Sequence, residues 1–146
     1  MLSRLSLQPE EDQHSDERAA MSDPRRGLGR RGEELAVREL TRRGYRLCAR
    51  NWRCAAGEVD IVAEQGEWLV FVEVRTRRGN RFGSPEASIT PAKQARLIRV
   101  AEAYLDAHHL SDVAWRIDVV AVEMSPQGKL LRIEVYENAV TGEWSV

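Results

Sequence analysis

The sequence has little sulfur and little imidazole: two cysteines, Cys48 and Cys54, and three histidines, His14, His108 and His109. Two cysteines make no disulfide framework. A tetrahedral zinc site needs four ligands, and the histidines lie far from the cysteines in sequence. The chain also lacks an apolar run long enough to span a bilayer and a secretory pattern at its start. A cytoplasmic protein with no membrane partner is the expectation. No internal repeat is present, and only two of the 22 basic residues are lysine.

At 146 residues, 42% of them hydrophobic, the chain can build one core and one domain. Its net charge of −1 hides an asymmetry. Residues 1–24 hold two arginines and six acids, residues 25–99 hold seventeen basic and nine acidic residues, and residues 100–146 hold three and eight. The central block carries +8 and is almost all arginine. Arginine keeps its charge and grips phosphate with two parallel hydrogen bonds, so the block is a candidate nucleic-acid footprint. A solvated arginine-rich surface is the other reading of the same charge.

Residues 1–24 are polar, acidic and aperiodic, which predicts a disordered extension. Met21 opens a stretch resembling a second start, and removal of residues 1–20 should leave the fold intact. The folded domain is expected over 25–137, with a tail over 138–146. "GLGRRGEELAVRELTRRGY" predicts a helix ending near Gly44. Gly32, Leu35, Ala36 and Leu40 form its inward stripe. Glu33 falls on the shoulder of that stripe, and Glu34 points to solvent. "YRLCARNW", "GEVDIVAE" and "EWLVFVEVR" predict three strands, the last two joined at Gln65-Gly66-Glu67. Gly66 suits the first central position of a type II′ turn. Thr90 caps a second helix that has Pro91 in its first turn. "WRIDVVAVEM" and "KLLRIEVYE" predict two more strands. The helix between the third and fourth strands calls for a right-handed parallel crossover, so the class is α/β with a mixed sheet and helices packed on it.

"FVEVR" places Glu73 inside an apolar run, where an unpaired carboxylate costs several kcal/mol. A turn at Gly66-Glu67 sets Asp60 opposite Glu73. A turn at Gln65-Gly66 sets Glu58 there instead, with Asp60 as its diagonal neighbour. Both registers keep Glu58, Asp60, Glu73 and Arg75 on one sheet face. Clustered carboxylates suggest a hard divalent cation such as Mg²⁺, with Arg75 placed to hold a phosphate or offset developing charge. A Glu73–Arg75 salt bridge on a solvated strand end is the plainer reading.

"GEVDIV", the hairpin and "FVEVR" together resemble the PD-(D/E)xK signature of restriction-endonuclease-like nucleases. "GRRGEELA", "NWRCAAGEVDIVA", "VFVEVRTR", "SITPAK" and "RIDVV", over about residues 29–122, resemble the YraN family of bacterial proteins. The resemblance implies a restriction-endonuclease-like αβββαβ core, here with one extra C-terminal strand. It implies Mg²⁺ or Mn²⁺ held by Asp60, Glu73 and the backbone carbonyl of Val74. Glu33 becomes an additional acidic group near the metal, and Lys93 matches a lysine early in the second helix. Glu58 matches the glutamate of the "GExD" pattern, with no role implied. Lysine is usual in the nuclease signature where this chain has Arg75, though arginine also occurs there within the YraN family. Arginine cannot act as a base but can anchor phosphate.

Arg77, Arg78 and Arg81 follow Glu73 in a polar, glycine-containing segment suited to phosphate contact. Lys93, Arg96 and Arg99 recur at helical spacing, which also describes a solvated face. Trp52, Trp68, Trp115 and Trp144 read as core residues before stacking platforms. Asp118, inside an apolar strand, reads as the partner of Arg116. Three functions follow: a Mg²⁺-dependent endonuclease acting on DNA, a nucleic-acid-binding module on a nuclease fold, and an interaction protein whose carboxylates serve structure. Homodimerisation is left open.

Overall fold

A computed structural model describes residues 24–79 and 83–140. The acidic extension up to residue 23, Met21 within it, Arg81 and Trp144 lie outside the described residues. Helix α1 (Pro24–Arg42) precedes strands β1 (Arg46–Cys54), β2 (Gly57–Gln65) and β3 (Trp68–Arg78). A single 3₁₀ turn (Glu86–Ser88), helix α2 (Pro91–Ala107), and strands β4 (Trp115–Met124) and β5 (Leu130–Val140) complete the order. This is the predicted αβββαβ sequence of elements with its additional strand. The five strands form one sheet in the order β1-β2-β3-β4-β5. Only β3 and β4 run parallel, and α2 supplies the crossover between them, as the length and pattern of that connection require. No helix among the described residues is long and apolar enough to cross a membrane.

Each helix covers one face. Leu97, Val100, Ala101 and Tyr104 of α2 pack with Phe71, Ile117 and Val119. Ala36 and Leu40 of α1 pack with Val70, Val72, Val74, Val120 and Val122. Alternate residues of β3 thus serve opposite cores, which is why the run "LVFV" is apolar throughout. The end of α1 follows from Gly44, whose φ of 91° is the left-handed conformation glycine adopts without steric cost. Tyr45 N–H donates to the Leu40 carbonyl and Gly44 N–H to that of Thr41, the paired bonds of a Schellman stop. At α2, the Thr90 hydroxyl accepts from Lys93 N–H and Pro91 occupies the first turn, as the capping pattern predicts.

The hairpin register is the one counted from Gly66-Glu67. Gln65 pairs with Trp68, Val62 with Phe71 and Ile61 with Val72. Gly66 has a φ of 58° while Glu67 is not among the residues of positive φ, which selects type II′ over I′. The fifth strand differs from expectation by running to Val140 rather than Glu137. Asn138 takes a φ of 52° and its N–H donates to Asp118. The chain absorbs a register shift there and regains the ladder at Ile117–Val140.

Asp118 is fully buried and holds Arg116 as the sequence suggests. Arg116 Nε donates to Oδ1 at 2.9 Å and the Tyr45 hydroxyl donates to Oδ2 at 2.7 Å. With Asn138 N–H, every direction around the carboxylate is answered, which is the condition for burying it. Trp52 packs edge-on to Tyr104, and Trp115 edge-on to Phe71. Both are partly buried and pack against the α2-side core. Trp68 is 44% exposed, with the Arg116 guanidinium over its ring.

Candidate functional site

The site begins where the β2–β3 ladder ends. Paired residues stop at Ile61–Val72, and past that point the strands part. The Val74 N–H does not meet a peptide carbonyl of β2. It donates to Asp60 Oδ2 at 2.7 Å. Within a strand, the N–H and C=O of one residue point to the same side, so the Val74 carbonyl also faces the gap. Asp60 and Glu73 meet there, close enough for each to act on the other's ionisation. Two partly buried carboxylates side by side repel each other, which favours the protonated form of both. Burial first, and then the charge of Glu73, holds Asp60 well above the usual carboxylate range. Burial raises Glu73 too, against the pull of Arg75, whose Nη2 lies 3.1 Å from Glu73 Oε2.

One expectation fails at this point. Glu58, Asp60, Glu73 and Arg75 do not share a sheet face. Glu73 and Arg75 alternate with Phe71 towards α2. In β2, however, Val59 and Val62 both join the α2-side core while Ile61 joins the α1-side core. Period-two alternation therefore breaks between Val59 and Ile61, at Asp60, and Glu58 falls on the α1 side. The physical cause lies opposite, in β1. Asn51 has a φ of 53°, and Ala49 and Trp52 on either side of it pack on the same core. A left-handed residue inside a strand turns the chain and reverses the faces.

The fault gives the gap access to both faces. From α1 comes Glu33, half-buried, with Glu34 exposed to solvent as predicted. Burial, then the negative charge of Asp60, pushes the Glu33 carboxyl up to about 8, with Arg50 opposing. Its approach depends on Gly32. A β-carbon there would collide with the Thr76 hydroxyl and lie 3.0 Å from Thr76 Cβ, so only glycine lets α1 sit this close to β3. From α2 come two cations. Lys93 Nζ donates to the Ser88 carbonyl at 3.2 Å. Arg75 beside it, with burial second, holds the Lys93 ammonium below the usual lysine range. The Arg96 stem lies against Gly57, and its charge also acts on Glu73.

Of the arginines after Glu73, Arg77 alternates onto the same face as Arg75 and also opposes the charge on Lys93. Arg78 goes the other way and lies over Gly128 in the β4–β5 turn, away from the carboxylates. Arg75 Nε and Arg77 Nε are buried without a hydrogen-bond partner among the described residues. The predicted residues Glu33, Asp60, Glu73, Arg75, Arg77 and Lys93 are thus brought together with the Val74 backbone. Asn51, Arg50 and Arg96 complete the surroundings. Arg96 belongs to the helically spaced cations noted in the sequence, Arg50 gave no signal of its own, and Asn51 gave only a general one, as one of the few residue types that tolerate positive φ.

Among the described residues, no three His, Cys, Asp or Glu side chains form a group that could hold a metal ion. What is present is an open set of oxygens, two carboxylates and a carbonyl at the parting of two strands. Mg²⁺ accepts such a set, keeping several of its waters and binding through one or two carboxylates. The donor chemistry fits a hard divalent cation and not zinc.

A mixed sheet between two helices, with acidic residues at the parting of its second and third strands, is a restriction-endonuclease-like core. Residues 32–122 match the family described as Uncharacterised protein family UPF0102. The chain is 53% identical over 121 residues to a UPF0102 protein of Roseiflexus castenholzii, covering 82% of this chain and 98% of that one. It is 45% identical over 115 residues to one of Caldicellulosiruptor saccharolyticus, covering 79% and 98%. A third, from Chloroflexus aurantiacus, is 50% identical over 103 residues, covering 70% and 83%. The chain belongs to the UPF0102 family, the YraN family that its motifs resemble.

Proposed function

We propose that the chain is a Mg²⁺- or Mn²⁺-dependent endonuclease that hydrolyses phosphodiester bonds in DNA. The observation that carries the reading is the pair of carboxylates in the β2–β3 gap, Asp60 held by the Val74 N–H and Glu73 by the Arg75 guanidinium. A binding surface for a polyanion gains nothing from buried acids next to its cations. A cation-binding phosphoryl-transfer site needs both. Asp60, Glu73 and the Val74 carbonyl would hold the ion, which supplies a bound water of lowered pKa. Arg75 and Arg77 hold the phosphate and offset the charge that develops on its oxygens. Lys93 adds a further cation from α2. Glu33 stands on the opposite face of the gap, where it can orient or relieve the water of a proton. The +8 central block steers the polyanion towards the gap.

The Glu73–Arg75 ion pair favours a second reading, a DNA-binding module without catalysis, because Arg75 already neutralises part of the acidic pair. The two separate in one assay. Linear, nicked and branched DNA is incubated with Mg²⁺ or Mn²⁺ and wild type, Glu73→Ala, Arg75→Ala or Arg75→Lys. The enzyme reading expects metal-dependent cleavage lost in Glu73→Ala and Arg75→Ala and kept in Arg75→Lys. Binding without cleavage by any variant establishes the module instead. Cleavage that survives Glu73→Ala refutes the site.

A further inference from the structure

Glu58 lies close to the acidic gap yet on the wrong side of the sheet to join Asp60 and Glu73. Its surroundings give it a different task. Glu58 Oε2 accepts from Arg53 Nε at 2.8 Å, a pair held across the β1–β2 ladder. Its other oxygen faces Asn51. With the NH₂ of the Asn51 amide turned to its acceptor neighbours, the nitrogen lies 3.0 Å from Glu58 Oε1 and 3.1 Å from Glu33 Oε1. An amide nitrogen carries two protons, one for each carboxylate. The result is a connected row: Arg53, Glu58, Asn51, Glu33.

We propose that Asn51 is a positioning residue of this site, a neutral clamp that ties the α1 carboxylate Glu33 to the β1–β2 hairpin through Glu58. This inference rests on the reading of the gap as a cation site. Two properties of asparagine are needed at once. It accepts a φ of 53° at lower cost than most residues, and so places the fault that lets Asp60 reach the gap. Its amide holds two carboxylates without supplying positive charge, leaving the second oxygen of Glu33 available. A lysine or arginine at this place would neutralise the acids. An aspartate would add one more.

Glycine separates the backbone role from the amide, because it keeps the positive φ at no steric cost. In Asn51→Gly the melting temperature should equal or exceed that of wild type. In its metal-free crystal structure the Glu33 carboxylate should leave its wild-type position. Calorimetry with MnCl₂ should show affinity about tenfold weaker, the scale of lost outer-shell support. Glu58→Ala should loosen Glu33 in the same way, while Glu58→Gln, which keeps an acceptor, should not. An unmoved Glu33 in Asn51→Gly overturns the proposal, as does unchanged Mn²⁺ affinity. If wild type binds no Mn²⁺, the cation reading falls, and the position of Glu33 alone then decides the role of Asn51.

Discussion

Glu33 makes the metal-free protein less stable as pH rises, and its replacement by glutamine removes that penalty. The folded protein keeps a proton on Glu33 up to about pH 8, whereas the unfolded chain releases it near 4.5. Between these values the folded state binds the extra proton, so the contribution of this group to stability is complete below 4.5 and lost as pH rises through 8. The displacement from 4.5 to about 8 corresponds to about 5 kcal/mol at ~1.4 kcal/mol per tenfold change in proton affinity. Contact of the half-buried carboxyl with water screens this to about 2 kcal/mol. Urea unfolding of wild type and Glu33→Gln in EDTA reads the difference directly. At pH 5 the two should agree within about 0.5 kcal/mol, and at pH 8.5 the variant should be the more stable by about 2 kcal/mol. Asp60 and Glu73 are present in both proteins, and because the charge of Glu33 also raises Glu73, the difference reads Glu33 together with that coupling. Parallel stability curves from pH 5 to 8.5 would refute the placement of Glu33 against Asp60.

Gly32→Ala forces a methyl group against Thr76 and should lower stability by about 1–3 kcal/mol in thermal unfolding; an unchanged melting temperature would show that α1 is free to shift. Asp118→Ala leaves the Arg116 guanidinium buried without its main partner and should cost about 3–5 kcal/mol, measured in urea, and a loss below about 1 kcal/mol would contradict the closed network. For DNA binding followed against salt, Arg77→Ala should reduce the slope of log K by about 1. Arg78→Ala, across the sheet, should leave it unchanged, and equal effects would erase the distinction between the two faces.

Much of this arrangement is local and therefore legible in the sequence. Gly66 between two alternating runs sets the hairpin and the Gln65–Trp68 register. Helical spacing from Gly32, Ala36 and Leu40 puts Glu33 rather than Glu34 at the sheet. Thr90-Pro91 and Gly44 mark helix ends by chemistry that acts within a few residues. The parts that escaped depend on one unusual backbone angle or on distant partners. Nothing in "ARNWRC" states that Asn51 takes a positive φ, and a count by two from Ile61 consequently assigns Glu58 to the wrong face. The tether from Glu86 to Arg132 and Tyr136 joins the loop before α2 to β5, with no periodicity to reveal it. Asn138 likewise carries β5 past its expected end by a bend that no apolar pattern encodes.

The Val74 amide has a consequence for spectroscopy. Most amides in a sheet donate to peptide carbonyls, whose charge does not change with solution conditions. The Val74 proton lies instead against Asp60 Oδ2, an atom whose charge changes with every proton or ion that reaches the gap. Its ¹H–¹⁵N resonance should move with pH and with added Mg²⁺, while those of Val70 and Val72, deeper in the same strand, stay in place. One backbone signal therefore reports the occupancy of the site, with no label, substrate or substitution.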